Sequence, residues 1–134
     1  MIRQVSIFAP NMKGSMHKVT TCLRKAGVNI MALITNDSGE FGLVRMIVDD
    51  TDKAAEALEA AGYMVRISPV IGAEISDDVG GLDDLLADLE SINISADYIY
   101  ISYLRDARNV VAIIHADNQY EIESSLRSKG WTIL

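Results

Sequence analysis

Apolar and polar positions along the chain form two successive series with the same order of periods. In the first series, short apolar runs rich in β-branched residues alternate with segments whose apolar residues recur at helical spacing. This pattern predicts a strand, a helix, two strands, a helix and a strand, at residues 5–9, 15–27, 28–35, 43–49, 52–62 and 63–70. The polar segment 36–40 predicts the hairpin between the two middle strands.

Residues with strong helix-end preferences set the predicted helix boundaries. Ser15 is expected to be the N-cap of the first helix, and Gly27 is expected to end it. The acids expected to cap other helix starts are Asp49, Asp50 and Asp117. The apolar face of the second, Ala-rich helix is expected to carry Ala55, Leu58 and Ala61.

The second series repeats the order of the first. It predicts strands and helices at residues 70–76, 82–92, 95–103, 109–116, 117–129 and 130–134. Matching Gly62 to Gly130 gives an offset of 68 residues, matching Leu23 to Leu89 gives 66, and matching Asn29 to Asn93 gives 64. We therefore expect the second hairpin to be four residues longer, and the second helix-to-strand turn to lack two residues.

A β-α-β-β-α-β unit with its helices on one face of an antiparallel sheet is the ferredoxin-like arrangement. We therefore predict an α+β protein made of two such repeats, at residues 1–70 and 71–134. A repeat of roughly 65 residues buries little surface alone. The two repeats are accordingly expected to pack against one another through residues 11–30 and 77–95.

Composition and charge exclude several function classes. A chain of 134 residues with 49% hydrophobic residues can bury a real core. Its net charge of −7 argues against nucleic acid or an anionic membrane as partner, because both require clustered Lys and Arg. The single Cys22 excludes an internal disulfide framework, and no apolar run approaches the roughly 20 residues that span a bilayer. We expect a soluble, cytoplasmic protein that binds small molecules or other proteins.

The segments around the first helix of each repeat resemble a known family. The sequences MKGSMHKV…AGVNI and VGGLDDLLADL…SINI resemble the glycine loop, helix and Gly-Ile-Asn-Ile strand entry of the ACT domain, a regulatory amino-acid-binding module. Both copies lack the Pro of the family loop, and the second lacks the Gly before its Asn. Two head-to-tail copies within 134 residues resemble the stand-alone tandem ACT proteins, which carry no catalytic domain.

The resemblance implies a non-enzymatic sensor that binds a free amino acid at the junction of its two repeats, forms a homodimer and uses no cofactor or metal. A glycine loop that leads into a helix exposes backbone N–H groups, which suit a carboxylate. The expected ligand-binding residues are Asn11, Met12, Lys13, Gly14, Ser15, Met16, Asn29, Ile30, Asp78, Gly80, Gly81, Leu82, Asn93 and Ile94.

Two observations leave alternatives open. Asn29 and Asn93 either contact the ligand or satisfy backbone groups at helix-to-strand turns, where Asn is common. Residues 11–27 contain bases and no acid, whereas residues 77–92 contain acids and no base. These charges either favour the local helix dipoles or steer the pairing of the two helices. In the second case the ligand carboxylate is expected to face Lys13, Gly14 and Ser15, and its ammonium Asp77 or Asp78.

Two other function classes fit the predicted fold. An acylphosphatase-like hydrolase would need an Arg in the loop after the first strand, and this loop offers Lys13. A module for protein interaction or dimerisation would use open sheet edges and no ligand. A metal site is not expected, because His17 and His115 lack carboxylate or Cys companions at ligand spacing.

Overall fold

The structure is a computed structural model that describes residues 1–10, 12–38, 41–105 and 107–134. The chain divides into two compact units, one of Arg3–Ser68 and one of Pro69–Leu134 together with Met1–Ile2. In chain order the elements are β1 (Ile2–Pro10), α1 (Ser15–Lys25), β2 (Ile30–Ser38), β3 (Phe41–Val48), α2 (Thr51–Ala60), β4 (Val65–Ile75), α3 (Gly81–Ser91), β5 (Tyr98–Ser102), β6 (Val110–His115) and α4 (Gln119–Ser128).

The first unit, Arg3–Ser68, contains antiparallel strands in the order β2-β3-β1. Alternate residues of β1 and β3 face α1 and α2, because successive side chains of a strand point to opposite faces. Their apolar side chains form one core with both helices, made of Val5, Ile7, Ala9, Val19, Leu23, Val28, Val44, Met46, Val48, Ala54 and Leu58.

The second unit contains antiparallel strands in the order β4-β6-β5, with α3 and α4 on one face. The C-terminal residues pair with β4 in place of a longer last strand: the Glu74 N–H donates to the Thr132 carbonyl at 2.9 Å, and the Leu134 N–H to the Gly72 carbonyl at 2.9 Å. A Cβ on Gly72 would overlap the end of the Ile2 side chain, which packs over this glycine. The predicted pair of ferredoxin-like βαββαβ repeats is confirmed.

All four helices end in the same hydrogen-bonded motif. The second residue after each helix has positive φ, as at Gly27 (φ 73°) after α1 and Asn93 (φ 58°) after α3. The next N–H then donates back to the last turn, from Val28 to the Leu23 carbonyl at 2.9 Å and from Ile94 to the Leu89 carbonyl at 3.0 Å. This is the Schellman motif, in which Gly is favoured and Asn is tolerated. The prediction that Gly27 ends α1 is confirmed.

Asn93 therefore corresponds to Gly27, and the predicted match of Asn93 to Asn29 is wrong. An offset of 66 residues holds from the start of α1 through β2, so the residue equivalent to Asn29 is Ser95. The helix-to-strand turn of the second unit lacks no residues. Its hairpin is two residues longer than the first, not four, because the offset becomes 68 in the next strand.

Several predicted helix boundaries need correction. Gly14, not Ser15, is the N-cap of α1, because its left-handed backbone (φ 84°) turns the chain into a helix that starts at Ser15. Asp50 is confirmed as the N-cap of α2, where its carboxylate accepts from the Lys53 N–H at 3.0 Å. Asp49 instead accepts from the Asn29 N–H at 2.9 Å, and α4 is preceded by Asn118 rather than Asp117.

Strand lengths and one helix face also differ from the sequence prediction. β2 continues to Ser38, so the polar residues 36–38 belong to a strand, whereas Gly39 and Glu40 lie outside the described residues. β4 is one strand where two were predicted, because the fixed φ of Pro69 suits extended backbone. The buried residues of α2 are Ala54 and Leu58; Ala61 lies beyond the helix end and is exposed. No helix in the described parts of the chain is long and apolar enough to cross a membrane.

Candidate ligand-binding cleft

The loops that precede α1 and α3 share one backbone conformation. Gly14 and Gly80 both have left-handed backbones, with φ of 84° and 93°. The N–H of Ser15 donates to the Met12 carbonyl at 3.1 Å, and the N–H of Gly81 donates to the Asp78 carbonyl at the same distance. The two loops are therefore equivalent in structure, and their side chains decide how they differ.

The start of α1 is able to bind an anion. Gly14 has no side chain that caps the helix, whereas the Asp50 carboxylate caps α2. N–H groups of the first helical turn that lack an intrahelical acceptor carry partial positive charge. The first turn of α1 contains no acid, and Lys13 and Lys18 lie close in sequence. The electrostatic environment of this helix start therefore favours a carboxylate.

A cleft of about 140 Å³ opens beside this helix start in the first unit. Its lining residues come from β1, the start of α1, β2 and β3, and are Ala9, Pro10, Met12, Ser15, Met16, Thr35, Asn36, Gly42 and Val44. The volume lies below the roughly 300 Å³ of the smallest drug-sized pockets. The cleft therefore suits a very small ligand.

The floor of the cleft is the cross-strand pair of Ala9 and Gly42. A Cβ at Gly42 would lie 3.4 Å from the Asn36 carbonyl oxygen and 3.9 Å from the Ala9 carbonyl oxygen, which are ordinary contact distances. Gly42 also lies in a regular strand, without the positive φ that favours glycine. Neither backbone conformation nor backbone crowding therefore requires glycine, whose effect here is to leave space above the sheet.

The equivalent space in the second unit is filled. Ile75 pairs with Val110 at the register position where Ala9 pairs with Gly42. Both larger side chains are only 5% exposed and belong to the core of the second unit. Gly81 is buried, and a Cβ on it would collide with the Ser76 carbonyl oxygen. The shared loop conformation thus borders an open cleft in the first unit and a packed interior in the second.

The structure brings together only some of the predicted site residues of the first repeat. Met12, Ser15 and Met16 line the cleft, Gly14 forms the helix cap beside it, and Lys13 is exposed in the same loop. Asn11 lies outside the described residues. The lining excludes both Asn29 and Ile30.

The backbone, rather than the side chain, of Asn29 makes its structural contacts. Its N–H donates to the Asp49 carboxylate at 2.9 Å, and its carbonyl accepts from the Asp49 N–H at 3.1 Å. The Asn29 side chain is exposed, and Ile30 packs against the core of the first unit. These contacts match the alternative in which Asn29 belongs to the helix-to-strand turn.

The predicted site residues of the second repeat do not form one cleft. Asp78 and Gly80 are exposed in the loop, and Leu82 packs against the core. Asn93 and Ile94 line a separate cavity of about 390 Å³ at the C-terminal end of α3, together with Leu86, Leu89, Glu90, Ser95, Ala96 and Ile99. A ligand in the cleft of the first unit and one in this cavity would contact different structural positions of their repeats.

Sequence reasoning missed six lining residues: Ala9, Pro10, Thr35, Asn36, Gly42 and Val44. Gly42 carried a usable signal, because a glycine within a strand often marks the close approach of a ligand or another backbone. Thr35 and Asn36 were placed at the end of a strand and in a hairpin, since Asn, Asp, Ser and Gly together favour turns.

A carboxylate companion for His115 was also missed. The Asp97 Oδ2 lies 2.9 Å from His115 Nδ1, and the Tyr98 ring stacks on the imidazole with centroids 5.0 Å apart. Across the residues with described positions, no three His, Cys, Asp or Glu side chains lie close enough together to hold a metal ion.

Comparison with known proteins identifies related sequences and folds. A family model described as an ACT domain pair matches residues 1–128. The structure is similar to that of a protein from Bacteroides thetaiotaomicron, with 30% sequence identity and a TM-score of 0.90 over 99% of this chain and 91% of that chain. No curated protein sequence matches the chain.

Two further solved structures share the fold at lower sequence identity. The regulatory subunit of aspartate kinase from Thermus thermophilus, in a ligand-free form, is 19% identical, with a TM-score of 0.64 over 96% of this chain and 92% of that chain. The regulatory subunit of aspartate kinase from Thermus flavus is 18% identical, with a TM-score of 0.62 over 94% and 90%.

Proposed function

Because the chain belongs to the ACT domain pair family, we propose that it is a non-enzymatic sensor that binds a free amino acid in the cleft of its first unit and thereby regulates a partner or pathway of amino-acid metabolism. One observation carries this proposal: the α1 start, which has no side-chain cap, opens on a cleft of about 140 Å³. Three earlier expectations stay predictions: binding at the junction of the repeats, a cytoplasmic location and a homodimer.

The cleft offers partners for both charged groups of an amino acid. Backbone N–H groups at the start of α1 and the Ser15 hydroxyl donate to the ligand carboxylate. The Thr35 hydroxyl and the Asn36 backbone carbonyl, on the β2 side of the cleft, supply oxygen acceptors for the ammonium. Lys13 and Lys18 add positive charge near the carboxylate end.

The residues of the cleft favour binding over catalysis. Among the lining residues that the structure describes, no side chain is a carboxylate, a His, a Cys or a Lys. Ser15 therefore has no general base within the lining to activate its hydroxyl as a nucleophile. Binding without turnover is the function that this set of groups supports best.

The described residues of the second unit do not repeat this site for a carboxylate. Asp83 and Asp84 lie in the first turn of α3, where they repel an anion. Ile75 and Val110 occupy the space that a ligand would need. We therefore expect one amino-acid site per chain at these loops.

A thermal-shift screen of the twenty amino acids tests the proposal. A ligand that binds the folded state at about 100 times its dissociation constant adds roughly 2.7 kcal/mol to the free energy of unfolding. The carboxamide and the N-acetyl derivative of the best ligand serve as matched controls, because each removes one of the two recognised charges. Failure of every amino acid to raise the melting temperature would contradict the proposal and favour the interaction module.

A further inference from the structure

Among the residues whose side chains the structure describes, the part of the cleft beside Ala9 and Gly42 is lined by small or apolar groups. Its floor consists of Ala9 and Gly42, and Met16 and Val44 add apolar surface beside it. A charged ligand side chain placed there would lose hydration without gaining a partner of opposite charge from these described residues. The volume of about 140 Å³ favours a small ligand over a large one.

Gly42 is the position at which the protein is able to adjust this space. Residues 42 and 44 of a strand point to the same face, so a side chain at Gly42 would enter the cleft beside Val44. The second unit shows what such side chains do: Val110, at the equivalent register position, and Ile75 fill the interior without changing the strand pairing. The sheet therefore accepts a larger residue at this position.

We infer that Gly42 determines which ligands the cleft accepts, and that the ligand is an amino acid with a small, uncharged side chain. The inference rests on the proposed function, because it assigns the ligand class of the same cleft. Gly42 acts by leaving space, and it contributes no polar group to recognition.

Calorimetric titration of Gly42→Ala and Gly42→Val against ligands of graded size tests the inference. Glycine, alanine, 2-aminobutyrate, valine, leucine and phenylalanine form a suitable series. The wild-type protein is expected to prefer one of the smaller members. Gly42→Ala should weaken binding of the largest accepted ligand by roughly tenfold or more, as expected for one methyl group in a tight pocket, and shift the preference to a smaller ligand. Gly42→Val should abolish binding of the whole series.

Leu43→Val is the matched control, because residue 43 points to the opposite face of β3 and is absent from the cleft lining. It should leave the order of affinities unchanged. Circular dichroism of each variant verifies folding, and Gly42→Ala keeps the test decisive if Gly42→Val does not fold.

The outcomes separate the two claims. If the wild-type protein binds an amino acid and both Gly42 variants keep the same order of affinities, the inference is overturned while the proposed function stands. A wild-type preference for leucine or phenylalanine also overturns the inference alone. If no amino acid binds the wild-type protein, the proposed function fails and the inference fails with it.

Discussion

At one register position of the sheet, the first unit pairs Ala9 with Gly42 and the second pairs Ile75 with Val110. In the loop that borders each pair, the N–H of the first helical residue donates to the carbonyl three residues earlier, and the glycine before the helix is left-handed. One backbone thus supports an open cleft in one repeat and a packed core in the other. Duplication preserved the positions that fix the chain path, while the side chains that fill space diverged.

The charges at the two helix starts diverged in the same sense. The first turn of α1 contains no acid, whereas the first turn of α3 contains Asp83 and Asp84. The two units thus differ in the space beside the helix start and, independently, in the charge at that helix start. Both differences favour an anionic group in the first unit. Under the proposed function, both differences favour ligand binding by the first unit rather than by the second.

Truncation of Ile75 is expected to have the largest effect on stability. Ile75→Ala removes buried methyl groups from the core of the second unit and should lower the free energy of unfolding by about 2–4 kcal/mol. Gly42→Ala, in the first unit, should change it by less than about 1 kcal/mol, because the added methyl group would meet only two backbone oxygens at ordinary contact distances. Urea denaturation of both variants measures this difference, and equal losses would show that the first cleft is as tightly packed as the second.

The two loop glycines should respond alike in stability and differently in binding. Gly14→Ala and Gly80→Ala each force an L-residue into a left-handed backbone, which costs about 1–2 kcal/mol. Only Gly14→Ala should also weaken binding of the amino-acid ligand, because the first loop borders an open cleft and the second does not. Thermal melts with and without ligand separate the two effects. Equal loss of affinity in both variants would indicate that the second loop also contacts the ligand.

Asn93 tests whether a residue in the second unit serves backbone conformation alone. Asn93→Ala should cost about 1 kcal/mol, because alanine disfavours the positive φ at the end of α3. Asn93→Gly should be neutral or slightly stabilising, since glycine takes the equivalent place after α1. Chemical denaturation of the two variants provides the measurement. A loss of stability in Asn93→Gly would show that the amide side chain itself contributes.

The smallest effect is expected at Asn29. Asn29→Ala keeps both backbone hydrogen bonds to Asp49 and should change the free energy of unfolding by less than about 0.5 kcal/mol. Asp49→Ala removes the carboxylate that accepts from the Asn29 N–H and should cost about 1 kcal/mol. Neither variant should alter ligand affinity by titration. A marked loss of affinity in Asn29→Ala would show that the Asn29 side chain contacts the ligand.

Periodicity predicted the fold well because each repeat alternates short apolar runs with amphipathic helices. The duplication was visible in the order of elements, and the glycine at the end of α1 was identified from its position alone. The alignment of the second repeat with the first was predicted wrongly. Asn93 replaces a glycine in the left-handed position and resembles Asn29 in the sequence. Matching Asn to Asn gave the wrong alignment. Matching the two residues that adopt positive φ, a Gly in one repeat and an Asn in the other, gives the correct one.

The candidate cleft was only half predictable. The loop residues Met12, Ser15 and Met16 were identified because glycine followed by a helix has a recognisable chemistry. The residues on the opposite side of the cleft depend on which strand positions meet across the sheet. Pairing of Ala9 with Gly42 is a long-range contact, and a single sequence does not specify which glycine faces which loop.

The second unit is built from two separate stretches of sequence, because the Ile2 side chain packs over Gly72. A segment encoding only residues 69–134 would omit that side chain and expose the β4 surface which it covers. Recombination that moves one repeat at a time would therefore transfer an incomplete piece. We therefore expect the two repeats to be inherited together, and an expressed fragment to need both of them.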